Sequence, residues 1–221
     1  MGCGRTKCDV TMSLLYQIPT WIQRLYRGVL WRRQTVEKTV YLTFDDGPIP
    51  EVTPHILRIL REKDVKATFF VVGDNVRKNP DLLENILIEG HRVGNHTFHH
   101  LKGLKCSTQD YLADVEQCQS YVRCANDSAK LFRPPYGRMR YSQKRELIKM
   151  GYTIVLWDVL THDYNSRYTA DRMVDIVKKY VRNGSIIVFH DSLKSNGRML
   201  EALPKVIDFL KEEGYIFSDK L

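Results

Sequence analysis

From residue 38 onward, short apolar runs alternate with longer stretches of helical period, and this alternation constrains the fold more than any single motif. Runs at 39–44, 67–72, 91–95, 131–133, 153–157, 185–190 and 215–218 have the length and the β-branched and aromatic content of buried strands. Stretches at 51–63, 80–89, 107–125, 142–150, 169–182 and 197–213 carry a helical period between them. Repeated βα units wind around a parallel sheet, so the chain reads as one α/β domain whose strands form a barrel. Several helix ends have a physical cause. Ser107 is placed to cap a helix starting at Thr108, Pro80 after Asn79 suits a first turn, and Gly90, Gly151 and Gly214 follow helical patterns where a left-handed residue is wanted.

With 221 residues, 43% of them hydrophobic, the chain can bury one substantial core, and no Pro/Gly/Ser-rich linker divides it. No run of about 18 apolar residues is present to span a bilayer. The net charge of +8 is compatible with an anionic polymer or a membrane surface. Lys and Arg are dispersed among acids and no zinc-finger, RRM-like or GxGxxG pattern occurs, so no nucleic acid is expected as a partner. Five cysteines, Cys3, Cys8, Cys106, Cys118 and Cys124, form no Cys-x-x-Cys pair and indicate no disulfide framework. The start of the chain lacks the pattern of a secretory signal, so a cytoplasmic location is expected.

Residues 1–37 read as an N-terminal extension and residues 38–221 as the catalytic domain. Met1-Gly2-Cys3-Gly4-Arg5-Thr6 matches the short myristoylation pattern, which arises easily by chance, and residues 1–11 read as an extension upstream of Met12. Residues 14–33 mix aromatic and aliphatic side chains with Arg24, Arg27, Arg32 and Arg33. They are expected to pack on the barrel, with peripheral contact to an anionic membrane as the second reading.

The polar clusters follow the predicted strands. Asp45-Asp46 ends the first, His96 and His100 follow the third, Arg133-Pro134-Pro135-Tyr136 the fourth, Asp158 and Asp163 the fifth, and His190-Asp191 the sixth. In a parallel barrel these ends share one face, where active sites are built. One carboxylate of the Asp45-Asp46 pair with the i, i+4 imidazoles of His96 and His100 makes a catalytic, zinc-like donor set with a position left open for water. Gly47-Pro48 bends the chain so that the neighbouring carboxylate can act as general base; the plain alternative is a turn-capping Asp-Gly. Arg133 is suited to hold that base ionised, and the backbone N–H at Tyr136 or Gly137 to stabilise a developing oxyanion. His190 leaves a buried strand as a general acid, with Asp163 as an orienting partner that raises its pKa. Read singly, Arg133 belongs to an exposed turn and His190 to a satisfied core. His55, His91, His99 and His162 have no comparable constellation.

These ordered clusters resemble the polysaccharide deacetylases of carbohydrate esterase family four, the NodB-homology group, over residues 38–218. The resemblance implies a distorted, incomplete (β/α)7-type barrel of parallel strands surrounded by helices, in a single domain. It also implies a divalent metal, usually Zn2+, with Co2+, Ni2+ or Mn2+ as alternatives, and hydrolysis of an acetyl group, N-acetyl before O-acetyl, on a saccharide substrate. By the family's pattern Asp45 is the base, Asp46, His96 and His100 are the metal ligands, and His99 lies outside them. Arg133 orients the base, the Tyr136 amide enters the oxyanion hole and His190 is the acid. The chain departs from the pattern where Leu160-Thr161-His162-Asp163-Tyr164 replaces Asp-x-x-Asp-Trp and where Val188 replaces Leu. Tyr164 and Val188 would then line the pocket for the acetyl methyl, and its altered shape leaves room for hydrolysis of a non-sugar amide on the same barrel. A carbohydrate-binding relative without turnover is the remaining reading, and retention of every chemical group argues against it.

Overall fold

The computed structural model describes residues 16–122 and 130–221. The myristoylation pattern, Leu14, Leu15, Cys3, Cys8 and Cys124 lie outside the described residues. A short helix Thr20–Leu25 (α1) and a two-residue strand Val29–Leu30 (β1) come first. The barrel begins with Thr39–Asp45 (β2), Thr53–Glu62 (α2), Thr68–Val71 (β3), Gly73–Lys78 (α3), Pro80–Ile88 (α4) and Arg92–Asn95 (β4). It continues through Thr108–Val122 (α5), Lys130–Phe132 (β5), Tyr141–Lys149 (α6), Tyr152–Val155 (β6) and Val159–Leu160 (β7). Ala170–Tyr180 (α7), Ile186–His190 (β8), Arg198–Glu212 (α8) and Ile216–Phe217 (β9) complete it.

The strands pair in parallel in the order β1-β6-β5-β4-β3-β2-β8-β7, and β9 adds beside the start of β2. The sheet curls into a half-barrel surrounded by helices, a single α/β domain of the incomplete (β/α)7 type. All seven residues of β2 are buried, as a parallel strand covered on both faces requires. Val40, Leu42 and Phe44 face the helices, where Phe44 stacks on Phe69 at 5.0 Å and joins Ile56, Leu60, Leu203 and Ile207. On the other face Tyr41 meets Phe70, Leu131, Val155, Ile186 and Leu221 inside the barrel. The helices cover the sheet with stripes of helical period: Ile56, Leu57, Ile59 and Leu60 on α2, and Met173, Val174, Ile176 and Val177 on α7. The expected caps are present. Ser107 Oγ accepts from the Asp110 N–H at 3.1 Å, and Gly90, Gly151 and Gly214 adopt φ of 76°, 82° and 77°.

Residues 152–160 differ from the single strand expected at 153–157. They form one run that changes partners: β6 pairs with β5 and β1, and after Leu156–Asp158 the chain becomes β7 on the edge of β8. Asp158 therefore stands level with the start of β8, its N–H bonded to the Ile186 carbonyl, and not at the barrel mouth with Asp163. Its buried carboxylate accepts from Arg182 at 2.6 and 2.9 Å, from Ser185 at 2.7 Å, and from Gln17 and Gln23 at 3.3 and 3.2 Å. The expectation that it joins the mouth cluster is corrected by the two-residue strand separating it from Asp163.

The first described residues join the two ends of the sheet. Gln17 makes an antiparallel bridge with Val159 and donates to the Tyr180 carbonyl at 2.7 Å. β1 then pairs with Ile154 and Val155, and the Arg33 N–H donates to the Gly184 carbonyl at 3.0 Å. Among the described residues no helix is long and apolar enough to cross a membrane.

Candidate active site

Parallel register brings the end of β2 beside the ends of β3 and β8, with Asp45 opposite Phe70 on one side and His190 on the other. Asp45 is buried, and the fully buried Arg133 donates to its Oδ1 at 2.6 Å. The same nitrogen donates to Thr43 Oγ1 at 2.8 Å, Nε and Nη2 reach the Val155 and Leu156 carbonyls at 3.3 and 3.1 Å, and the guanidinium lies 4.1 Å over the Phe70 ring. Arg133 thus fills the barrel interior directly below the mouth. Every donor it uses is matched by an acceptor, which a buried guanidinium requires. Burial pulls the Arg133 pKa down while the Asp45 carboxylate, by charge and hydrogen bond, pulls it up.

Asp46 takes φ of 83°, an uncommon conformation for a residue with a Cβ, and this turn sends two consecutive carboxylates into one cleft. Its carbonyl accepts from Asn75 Nδ2 at 2.7 Å. Beneath the turn the Asp191 carboxyl occupies the place that a Cβ on Gly47 would need, so only glycine fits there. Thr53 donates to that carboxyl at 2.6 Å, and the Asp191 N–H donates to the Asp45 carbonyl at 2.7 Å. Burial first, and the Asp46 charge in addition, push the Asp191 carboxyl up to about 7 against the Thr53 hydrogen bond.

The loop after β4 presents two imidazoles. His96 Nδ1 donates to the Arg133 carbonyl at 2.7 Å, which leaves Nε2 unprotonated and aimed at Asp46. His100 has φ of 54°, and Asp114 on α5 ties the loop by accepting from the Phe98 and His99 N–H groups at 2.8 and 3.0 Å. Asp114 also takes His99 Nδ1 at 2.5 Å, so His99 is turned away from the cleft. Asp46 Oδ1 lies 3.1 Å from His100 Nε2 and 3.6 Å from His96 Nε2, and one donor atom from each of the three lies within 4.8 Å of the others. Burial drives His96 down to about 4, so it is a neutral donor at neutral pH. Burial opposes ionisation of Asp46, but the hydrogen bond from His100 and the charges of His190, His96 and His100 outweigh it and hold the carboxyl well below its usual range. A carboxylate and two imidazoles converging on one point fit a divalent cation.

Across the cleft, Asp163 accepts from His190 Nδ1 at 2.7 Å and from the His190 N–H at 2.6 Å, leaving Nε2 toward the opening. Burial lowers the His190 pKa, yet the charge and hydrogen bond of Asp163, with Asp46 and Asp45 behind them, raise it to about 9. Tyr164 sets its ring edge-on to His190 at 4.9 Å and bonds His162 Nδ1 at 3.0 Å. Tyr136 has φ of 60° and lies edge-on to His100 at 4.8 Å. Asp45, Asp46, His96, His100, Tyr136, Tyr164 and His190 all line one open cleft of about 1040 Å³. Val188 is fully buried on β8, two residues before His190 and on the same side of the strand. Asn75 and Trp157 also line the cleft and were not anticipated. Asn75 sits on α3, which carries no sequence signal of its own. Trp157, an aromatic at the end of a predicted strand, was a readable one; it packs so closely on Gly137, φ 64°, that a Cβ there would come within 2.6 Å of the indole.

A carboxylate locked by a buried arginine, a cation-ready donor set and an imidazole with its own carboxylate share the mouth of a βα half-barrel, a combination that fits metal-assisted hydrolysis. Residues 32–155 match the family model described as polysaccharide deacetylase. A peptidoglycan-N-acetylglucosamine deacetylase of Bacillus cereus is 33% identical over 190 residues, covering 86% of this chain and 89% of the relative. A chitooligosaccharide deacetylase of Sinorhizobium fredii is 34% identical over 203 residues, covering 86% and 94%. The crystal structure of a peptidoglycan N-acetylglucosamine deacetylase with a bound N-oxidanyl-benzamide superposes with a TM-score of 0.83 at 32% identity, over 90% of this chain and 92% of that one. The chain belongs to the polysaccharide deacetylase family, carbohydrate esterase family four, and is a carbohydrate deacetylase of that type.

Proposed function

We propose that the protein removes the N-acetyl group from N-acetylhexosamine units of a glycan or glycan precursor, with Asp46, His96 and His100 holding Zn2+, or Co2+, Ni2+ or Mn2+ in its place. The observation that supports this most is the division of the two adjacent carboxylates: Asp45 is committed to Arg133 and Asp46 to the imidazoles. When bound, the cation supplies polarisation of the acetyl carbonyl and acidification of a water. Asp45, held in place by Arg133, takes the proton of the attacking water at its carboxylate. The Tyr136 backbone N–H, presented by the left-handed turn at φ 60°, donates to the oxygen that gains charge. His190 delivers the proton on Nε2 to the leaving nitrogen, with Asp163 fixing its ring.

N-acetylhexosamine units are common to the peptidoglycan and chitooligosaccharides named for the two relatives. The cleft is open and broad, which suits a saccharide chain better than a small cyclic amide. The free cysteines Cys106 and Cys118 suit the cytoplasmic location included in the proposal. Packing of residues 14–33 on the barrel is the preferred reading, with peripheral membrane contact second to it: Tyr16 and Gln17 are committed to the barrel, whereas Trp21 and Tyr26 are exposed beside Arg24 and Arg27.

Acetate release from a panel of acetylated oligosaccharides and simple amides, before and after chelation and metal restoration, tests the reading. Asp45→Asn is expected to lower turnover by about 10²-fold or more while metal content is retained. Near-normal turnover in a fully metallated Asp45→Asn protein would overturn the assignment of the base.

A further inference from the structure

We propose that His162 is a positioning residue that holds the ring of Tyr164 against the imidazole of His190. The inference rests on the deacetylase reading, with His190 as its acid, and adds to it the side chain that keeps one wall of the cleft in place. Asp163 holds His190 by one ring nitrogen and by the backbone N–H, which leaves the tilt of the imidazole to its other neighbours. Tyr164 is one of them, with ring centroids 4.9 Å apart and planes at 80°. Delivery of a proton from Nε2 depends on that tilt, because Nε2 must come within hydrogen-bond reach of the leaving atom.

The Tyr164 ring lines the open cleft and is 41% exposed, so its cleft side faces water. It is fastened at the hydroxyl, which shares a hydrogen bond of 3.0 Å with His162 Nδ1. A hydrogen bond restrains a side chain only when its partner is itself fixed, and His162 is. Its imidazole is buried, stacked on Tyr168 at 5.3 Å and met edge-on by Tyr16 at 5.4 Å. The phenols of Tyr16 and Tyr168 are hydrogen-bonded to each other at 2.8 Å, and Tyr16 stacks in turn on Tyr180 at 5.6 Å.

The backbone lets three consecutive residues serve three different partners. Thr161 Oγ1 donates to the Val188 carbonyl at 2.8 Å, and the Asn165 N–H donates to the His162 carbonyl at 2.9 Å. Between these anchors His162 takes φ of 58°, a left-handed conformation that strains a residue with a Cβ and persists only where its surroundings over-determine it. Asp163 then meets His190, His162 enters the tyrosine cluster, and Tyr164 returns to the acid. His162 stands outside both the donor set of Asp46, His96 and His100 and the lining of the cleft, so its effect on turnover passes through Tyr164.

The test is a double-mutant cycle on the full metal-loaded chain, with an N-acetylhexosamine oligomer as substrate. His162→Phe keeps a ring for Tyr168 to stack on and removes the bond to Tyr164, and Tyr164→Phe removes the same bond from the other side. Each is expected to lower kcat about fivefold, the scale of one neutral hydrogen bond, with KM within about twofold of the parent. The losses should not add: in the Tyr164→Phe background, His162→Phe should cost less than about twofold. Tyr164→Phe alters only a partly exposed hydroxyl, so its loss is measured on a folded chain whatever His162→Phe does to stability. His162→Asn puts an oxygen where Nδ1 stood and tolerates positive φ, and should keep kcat within about twofold of the parent. A second readout needs no turnover. In metal-free protein labelled with meta-fluorotyrosine, the Tyr164 fluorine line, assigned by its loss in Tyr164→Phe, should move toward the free amino acid in His162→Phe and stay in place in His162→Asn.

Full additivity of the two losses would overturn the inference, because His162 would then act on stability and not through Tyr164. A loss in Tyr164→Phe that His162→Phe does not share would overturn it too, by showing that the phenol acts on substrate directly. An unmoved Tyr164 line in His162→Phe has the same force. Each of these results leaves the deacetylase reading standing. No acetate from the parent chain would remove that reading and the proton delivery built on it, while the fluorine lines judge the pairing of His162 with Tyr164 in either case.

Discussion

Asp163→Asn is the substitution that most directly separates the roles drawn around His190. The aspartate meets the imidazole at 2.7 Å and the backbone N–H of the same residue at 2.6 Å, so asparagine keeps the shape and removes the charge. Against the ordinary histidine value of 6.5, a folded value of about 9 corresponds to roughly 3 kcal/mol favouring the imidazolium. The sign follows from the direction. A raised folded pKa gives stability that is fully present below about 6.5 and is lost as pH rises through about 9. Without the Asp163 charge, burial alone pulls the imidazole down, and only the charges of Asp46 and Asp45 pull it up.

In the metal-free protein, the imidazole signal of His190 followed by NMR should titrate near 9 in the parent and about two units lower in Asp163→Asn. With His190 as the proposed acid, turnover requires the protonated form, so the alkaline limb of the kcat profile should move toward acid in the variant. In the loaded enzyme both limbs lie lower still, because a bound cation repels the imidazolium. At neutral pH kcat should fall by about 10²- to 10⁴-fold. An unmoved His190 titration in a folded Asp163→Asn protein would refute the argument, since the shift would then not come from the carboxylate that touches the ring.

Arg133→Met strands the Asp45 carboxylate inside the barrel and should cost about 3–5 kcal/mol in urea unfolding, with Asp45→Asn in the same chain recovering part of that loss. Tyr111→Phe removes a buried hydroxyl that has no hydrogen-bond partner among the described residues, and should leave stability unchanged or raise it by about 1 kcal/mol, read as a shift in the urea midpoint. Zn2+ at about 100 times its Kd should raise the melting temperature by roughly 5–10 °C, and Asp46→Ala should abolish that shift along with the bound metal measured by elemental analysis.

The sequence made the uniformly apolar strands easy to place, because β2 and β8 are buried on both faces and their composition says so. It could not show β1 and β7. Two residues carry no periodicity, and both strands exist only because a neighbouring edge offers unpaired backbone groups. Asp158 was misplaced for that reason. The convergence of Asp46, His96 and His100 followed from strand-end position alone, since the register of a parallel sheet brings those ends together. Asn75 was hidden for a different reason: it sits on the six-residue helix α3, too short to carry a period that would mark which side chains reach the cleft.

The segment that joins the ends of the sheet also sets an order of events during synthesis. Gln17 is bonded to Tyr180 across 163 residues, and Arg33 waits for Gly184. The chain's first described residues therefore leave the ribosome long before any of their partners exist. At about 5–20 residues per second, the interval is roughly 10–30 s. During that time Trp21, Tyr26 and Trp31 travel with a growing sheet whose two edges are still open; β6 offers β1 its first partner, and release of the chain through Gly184 lets the rest of the segment dock.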